Sequence, residues 1–229
     1  MFTKEVEKFL KKDMCICLLH LKEEINKFID DVEIISLYIE ELVNLKLPNR
    51  DFELGSEEFY ENENIFTSFV LDFWSKNRIT SKNNSYYIFD NLRHAFRSFK
   101  FGGLIELYKC QQNEEWYPKI NLVEFLGKEE DILKLPERIT IYRGTSLSEY
   151  ESGIFSQSWS LSKDVAKKFA FRHYTRQRMF SDTLRVVIKT EISKSEIFYY
   201  SDDNEEEVVI NSQNINKEQI IKVLEEIIE

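Results

Sequence analysis

The feature that most constrains the fold is a change in the spacing of apolar residues at Gly102-Gly103. Before this pair, apolar side chains recur every three, four or seven residues, which is the spacing of one face of an amphipathic helix. After it, short apolar runs alternate with turn-forming residues, as in β-strands. Glycine pairs interrupt regular structure. The sequence therefore predicts an α+β fold, with a helical region at residues 1–100 and a mostly β region at residues 101–229.

The spacing of apolar residues also predicts the individual helices and strands of each region. In residues 1–100 it predicts one helix from Phe2 to Phe28, a second that ends at Pro48, a third around Phe69 and a fourth from Tyr86 to Phe99. The strands predicted in the second region are Ile139–Arg143, Gln157–Ser160, Thr183–Thr190, Glu196–Tyr200 and Val208–Ile210, with a helix at Lys163–Arg178. The segment Gln219–Leu224 fits either a helix or a closing strand.

Composition excludes several classes of protein. The net charge of -10 gives the chain no overall basic surface for nucleic acid. The three cysteines have no regular spacing, which argues against a disulfide framework. Cys15 and Cys17 resemble half of a metal site, but there is no second pair and the histidines are scattered, so we expect no metal. We find no signal peptide and no apolar run of about 18 residues, so we expect a cytoplasmic protein that does not enter membranes.

An arginine at a predicted strand end is the first motif of the second region. Ile139–Arg143 is β-rich and is followed by Gly144. The guanidinium of Arg143 offers paired donors to phosphate oxygens, and Gly144 would let a ligand approach the backbone closely. The alternative is an ordinary ion pair between Arg143 and a nearby acid.

Two serines that flank a tryptophan form the second motif. In a strand, Ser158 and Ser160 face one side and Trp159 faces the other. Hydroxyl groups on an active face can donate hydrogen bonds to a catalytic carboxylate and orient it. The alternative is a plain strand with Trp159 in the core.

Two glutamates before an apolar strand form the third motif. If the chain is extended, Glu205 and Glu207 project to the same face. Two like charges there shift each other's titration unless a cation or hydrogen bonds compensate. A solvated acidic loop is the alternative, but the apolar run Val208–Ile210 that follows favours a strand.

Taken in this order, the three motifs resemble the arginine–serine–glutamate signature of NAD-dependent mono-ADP-ribosyltransferases, over residues 139–210. The resemblance implies a split β-sandwich catalytic domain in residues 101–229, with NAD as co-substrate. It also favours a strand for Gln219–Leu224. Many relatives carry Ser-Thr-Ser in the second motif, so Trp159 departs from the commonest pattern.

The resemblance implies a role for each motif. The residues that would bind NAD are Arg143, Gly144, Ser158, Trp159 and Ser160. Glu207 would be the catalytic glutamate that stabilises an oxocarbenium-like transition state, and Ser158 would support it. Glu205 would prepare the acceptor, and a glutamate at this position is associated with arginine modification.

A concentration of positive charge distinguishes the predicted helix Lys163–Arg178 from the acidic chain around it. The candidate acceptor-binding residues on it are Lys167, Lys168, Arg172 and Arg176. Such a surface is suited to phosphates, so we expect RNA, in preference to a protein arginine, as the acceptor. A solvated helix face is the alternative.

The resemblance implies a mono-ADP-ribosyltransferase, and it is the resemblance, not any single residue, that suggests a role as an intracellular toxin or anti-phage effector. The acidic, aromatic-rich helices of residues 1–100 are a candidate docking surface for a neutralising antitoxin. One alternative is a NAD glycohydrolase, which would use Glu207 with water and could dispense with Glu205. Another is an inactive NAD-fold interaction module, which would have no need for a pair of carboxylates.

Overall fold

Residues 2–48, 52–109, 118–126, 129–172 and 183–227 are described by the structure, a computed structural model. The chain divides into two units, Met1–Asn121 and Leu122–Glu229. Helices make up most of the described part of the first unit, and the second contains a six-stranded antiparallel sheet. The α+β prediction is confirmed at this level. Among the described residues, no helix is long and apolar enough to cross a bilayer.

The described part of the first unit contains five α-helices, and their apolar stripes form its core. They are α1 (Lys4–Lys12), α2 (Leu18–Asn26), α3 (Val32–Asn44), α4 (Glu57–Lys76) and α5 (Tyr86–Lys109). The hydroxyls of Thr3 and Ser56 accept hydrogen bonds from backbone N–H groups in the first turns of α1 and α4, which explains where these helices begin. Tyr38 and Phe66 are among the largest fully buried side chains.

Two boundaries in the first unit differ from the prediction. The single helix expected from Phe2 to Phe28 is wrong, because the chain turns between α1 and α2, where Cys15 has a positive φ of 51° and Ile16 pairs with Ile120. The boundary predicted after residue 100 falls within α5. There Gly103, at φ 70°, separates two helical stretches of one element, and the two units divide only after Asn121.

The second unit confirms the predicted strands. These are β1 (Arg138–Ser146), β2 (Ser158–Ser160), β3 (Leu184–Ser193), β4 (Ile197–Tyr200), β5 (Glu207–Ile210) and β6 (Ile221–Ile227), in the order β4-β5-β2-β1-β3-β6. The C-terminal segment is therefore a strand. Two short helices, α6 (Glu129–Leu133) and α7 (Leu147–Ser152), were not predicted. The helix predicted from Lys163 is present as α8 (Lys163–Phe171), and residues 173–182 lie outside the described part of the chain.

The register of the sheet assigns its residues to two faces. β1 pairs with β3 along its whole length, whereas its only register pair with β2 is Tyr142↔Ser160. One face carries an apolar core that includes Ile141, Trp159, Ile188 and Val208. On the other face, Ala166 and Ala170 of α8 pack against Val187 of β3.

Gly144 allows α8 to lie directly on the backbone of β1. A Cβ atom at this position would lie 2.1 Å from the carbonyl oxygen of Ala166 and 2.5 Å from the amide nitrogen of Ala170. Both atoms belong to the helix backbone, which cannot move aside as a flexible side chain would. Close packing of helix on strand is therefore the structural reason for glycine at this position.

Candidate active site

Ser158 and Glu207 form the central contact of the candidate site. β2 and β5 are neighbours, and their register places Ser160 opposite Glu207 and Ser158 diagonally across from it on the same face. The Ser158 Oγ atom donates a hydrogen bond of 2.6 Å to Oε1 of Glu207. Bonds to an ionised acceptor are among the stronger hydrogen bonds in proteins. The serine thus orients the half-buried carboxylate.

Ser160 holds the loop before β5 in place. Its hydroxyl donates to the carbonyl oxygen of Glu205 at 2.7 Å and accepts from the backbone N–H of Ser162 at 3.0 Å. The side chain is 5% exposed. Ser160 therefore joins the acidic loop to the start of α8, where Ser162 caps the helix by accepting from Val165.

Arg143 binds a carboxylate that the sequence did not single out. Its Nε donates to Oε1 of Glu149 at 2.7 Å, and its Nη2 donates to Oε2 of the same residue at 3.1 Å. A third donor, Nη1, reaches the backbone carbonyl of Ser158 at 2.6 Å. Because Arg143 is in register with Ile188, its side chain starts on the core face, opposite the Ser158 hydroxyl. The structure thus brings Arg143 to the backbone of Ser158.

The Arg143–Glu149 pair is largely shielded from water, with side-chain exposures of 11% and 16%. Burial alone would raise the pKa of Glu149, but the charge and hydrogen bonds of Arg143 outweigh it and lower the pKa below its ordinary value. The Ser156 backbone N–H also donates to this carboxylate, at 3.2 Å. Glu149 is therefore ionised at neutral pH.

A local signal could have located Glu149 in the sequence. Ser146-Leu147-Ser148-Glu149 has the serine-x-x-glutamate spacing of a helix capping box. In the structure the Ser146 hydroxyl accepts from the Glu149 N–H at 3.1 Å and caps α7. The glutamate side chain turns to Arg143 and so links α7 to β1 and β2.

Glu205 and Glu207 do not share one extended segment. Glu205 lies in a turn, is exposed, and donates its N–H to Oδ1 of Asp203 at 3.1 Å. Glu206 has a left-handed φ of 44°, and β5 begins only at Glu207. The condition for two carboxylates on one face is therefore not met. Residues 202–206 thus form a loop, which is the alternative interpretation of this segment, and Val208–Ile210 form a strand as predicted.

Trp159 and Gly144, both proposed NAD-binding residues, are occupied by packing. Trp159 is 3% exposed in the core of the sheet, makes an edge contact with Phe155, and donates its indole N–H to the Ser156 carbonyl at 3.0 Å. Gly144 faces the backbone of α8. The alternative of a core tryptophan thus describes Trp159, and close packing of α8 occupies the space beside Gly144.

The basic residues of α8 lie beside an acidic loop. Lys163, Lys168 and Arg172 are exposed, whereas Lys167 is half-buried and donates to Asp164 at 3.2 Å. Arg176 lies outside the described residues. A cavity of about 530 Å³ at the start of α8 is lined by Asp164 and Lys168 and by loop residues that include Asp202, Asp203 and Glu206. In the described part of the chain, no group of three or more metal-ligating side chains is found.

Comparison with known protein families, with curated proteins and with solved structures finds no match to this chain.

Proposed function

We propose that the protein is a mono-ADP-ribosyltransferase that cleaves NAD and transfers ADP-ribose to a macromolecule. The observation that carries this proposal is the Ser158–Glu207 hydrogen bond, together with the bond from Arg143 to the Ser158 carbonyl. These two bonds connect residues of three strands, although the Arg143 side chain starts on the face of the sheet opposite the Ser158 hydroxyl. The second unit contains an antiparallel sheet, as the split β-sandwich that the resemblance implies would, but its six strands belong to one sheet.

In the proposed reaction, the bond between the nicotinamide nitrogen and ribose C1′ breaks. Its electron pair leaves with nicotinamide, and positive charge develops on the ribose, as in glycoside cleavage. The Glu207 carboxylate would stabilise that charge, and Ser158 keeps the carboxylate in one orientation before the substrate arrives. An acceptor nucleophile then forms the new bond to C1′ and loses its proton.

Arg143 would anchor the pyrophosphate of NAD. Glu149 takes the Nε–Nη2 edge of the guanidinium and the Ser158 carbonyl accepts from Nη1, so a phosphate that pairs with Arg143 would have to meet the second N–H groups of Nη1 and Nη2. The planar fork of arginine permits two such partners at different edges. Phosphate binding and the ion pair with Glu149 are therefore compatible.

RNA remains the proposed acceptor, because Lys168 of α8 and Arg172, the residue that follows this helix, are exposed. Lys167 is paired with Asp164 and would contribute less. If phosphates meet this surface, acceptor binding should weaken steeply as salt concentration rises. We also propose that the protein acts as a cytoplasmic toxin or anti-phage effector. A partner that binds the N-terminal helices would neutralise it.

A NAD glycohydrolase is the second candidate, and the position of Glu205 favours it. This residue lies in an exposed turn and not beside Glu207 on one face. The second carboxylate that would prepare an acceptor is thus not placed next to the first. Water would then attack C1′, and Glu205 would be dispensable.

Incubation of the purified protein with labelled NAD and a cell lysate tests the proposal. The wild type should release nicotinamide and label a macromolecule, and Glu207→Gln should lower both rates by about 10²–10³-fold. The matched control is Glu191→Gln, which removes an exposed carboxylate paired with Arg138. This variant should keep both rates at the wild-type level. Label lost to nuclease identifies RNA, and label lost to protease identifies a protein. Release of nicotinamide without label identifies the glycohydrolase, and full activity of Glu207→Gln would overturn the assignment.

A further inference from the structure

We propose that Glu149 is a positioning residue for NAD binding, which acts by fixing the guanidinium of Arg143. The inference rests on the proposed function and extends it to a residue outside the three motifs. Two parallel hydrogen bonds, at 2.7 and 3.1 Å, join the Glu149 carboxylate to one edge of Arg143. Such a bidentate contact fixes the plane of the guanidinium as well as its position.

The carboxylate is itself held from its other side. Besides Arg143, the backbone N–H of Ser156 donates to Oε1 of Glu149, and the Ser156 hydroxyl donates to Oε2. The N–H of Glu149 is bonded to the Ser146 hydroxyl. Glu149 is therefore anchored at its backbone and at both carboxylate oxygens, so it provides a fixed support for the arginine.

A fixed guanidinium matters for the binding of a phosphate. A free arginine side chain loses rotational freedom when it pairs with a ligand, and that loss weakens binding. In this protein the guanidinium is ordered before a ligand binds, because Glu149 and the Ser158 carbonyl accept hydrogen bonds from all three of its nitrogen atoms. The same contacts determine which edge of Arg143 a pyrophosphate would meet. Glu149 thus influences NAD without touching it.

The positioning role predicts a specific kinetic signature. Arg143 would bind the pyrophosphate equally in the ground state and in the transition state, so a poorly held Arg143 should raise the KM for NAD and leave kcat nearly unchanged. A purely structural role predicts the opposite pattern. Unfolding of a fraction of the enzyme lowers the apparent kcat in proportion and does not change KM.

Steady-state NAD cleavage by wild type, Glu149→Gln and Glu149→Asp tests the inference, with melting curves recorded in parallel. In Glu149→Gln, the amide group places donors against the donors of Arg143, so we expect the KM for NAD to rise about tenfold with kcat changed less than about threefold. Glu149→Asp keeps the charge and should recover part of the affinity. Glu191→Gln, which breaks an exposed arginine–glutamate pair between β1 and β3, should leave both constants unchanged.

The outcomes separate the inference from the function on which it rests. A folded Glu149→Gln with an unchanged KM overturns the positioning role and leaves the proposed function intact. A wild type that neither binds nor cleaves NAD overturns the proposed function, and the inference with it. If Glu149→Gln does not fold, the KM for NAD is measured in Glu149→Asp and in Ser156→Ala instead. An unchanged KM in both would contradict the inference, and a rise in KM with a near-constant kcat in either would support it.

Discussion

Arg143 and Glu149 form an ion pair that is almost removed from water, so its effect on stability should depend on pH. The pKa of Glu149 in the folded chain lies below its ordinary value of 4.5. A carboxyl with a lowered pKa contributes stability above its unfolded pKa, and the contribution is lost as the pH falls through the folded pKa. At low pH Glu149 is protonated and carries no charge, so wild type then has the same charge at this position as the Glu149→Gln variant.

The free energy of unfolding of wild type should therefore exceed that of Glu149→Gln at neutral pH, by about 3 kcal/mol. The difference should shrink as the pH is lowered below 4.5. Urea denaturation of both proteins across a pH series measures it. The exposed control Glu191→Gln should have nearly the same free energy of unfolding as wild type at any pH. A difference between wild type and Glu149→Gln that stays constant down to strongly acidic pH would contradict the prediction.

Gly144→Ala should destabilise the second unit by about 1–3 kcal/mol. The added methyl group would overlap the backbone of Ala166 and Ala170, so α8 would have to move away from β1. Urea denaturation gives the change. Thr140→Ala, at an exposed position of the same strand, should cost at most about 1 kcal/mol. Equal stability of Gly144→Ala and wild type would show that α8 is not in contact with this position.

At the scale of single residues, sequence patterns predicted part of the candidate site. The face of Ser158 could be predicted because side chains alternate along a strand, whereas the choice of Glu207 rests on the family resemblance. Glu149 was missed, because its partner is set by the turn of α7 towards β1 and no local pattern records that contact. The prediction that Glu205 and Glu207 share one face assumes an extended chain. The chain is not extended there, because Glu206 has a left-handed conformation that is unusual for a residue other than glycine.

At the scale of elements, the N-terminal cap of α7 is expected to support the site. The Ser146 hydroxyl accepts from the Glu149 N–H, so Ser146→Ala should lower the free energy of unfolding by about 1 kcal/mol. Ser146→Asp also accepts this bond and should stay close to wild type. Urea denaturation of the two variants compares them, and equal losses in both would indicate that the cap contributes nothing.

The strands of the second unit could be predicted because their apolar residues alternate or run together between turn signals. The break between α1 and α2 could not, since it depends on a left-handed Cys15 and on pairing between Ile16 and Ile120, which are distant in sequence. The helix α7 escaped detection because its six residues are too few to establish a helical period.

At the scale of the whole molecule, the second unit should fold without the first. Its core consists of residues of its own strands and short helices, among them Ile141, Trp159 and Val208. We expect the fragment 122–229 to unfold cooperatively with heat and, under the proposed function, to retain NAD cleavage. Circular dichroism against temperature measures the first property. A fragment without a cooperative transition would contradict the expectation.

The single register pair between β1 and β2 has a mechanical consequence. The sheet consists of two three-stranded halves, β4-β5-β2 and β1-β3-β6, that meet along a short seam at Tyr142 and Ser160. Arg143 belongs to one half, whereas Ser158 and Glu207 both belong to the other. Opening of the seam would stretch the bond from Arg143 to the Ser158 carbonyl and leave the Ser158–Glu207 bond intact. Under the proposed function, the binding of the NAD pyrophosphate by Arg143 and the alignment of the Glu207 carboxylate by Ser158 would then be lost separately, and the pyrophosphate binding would be lost first.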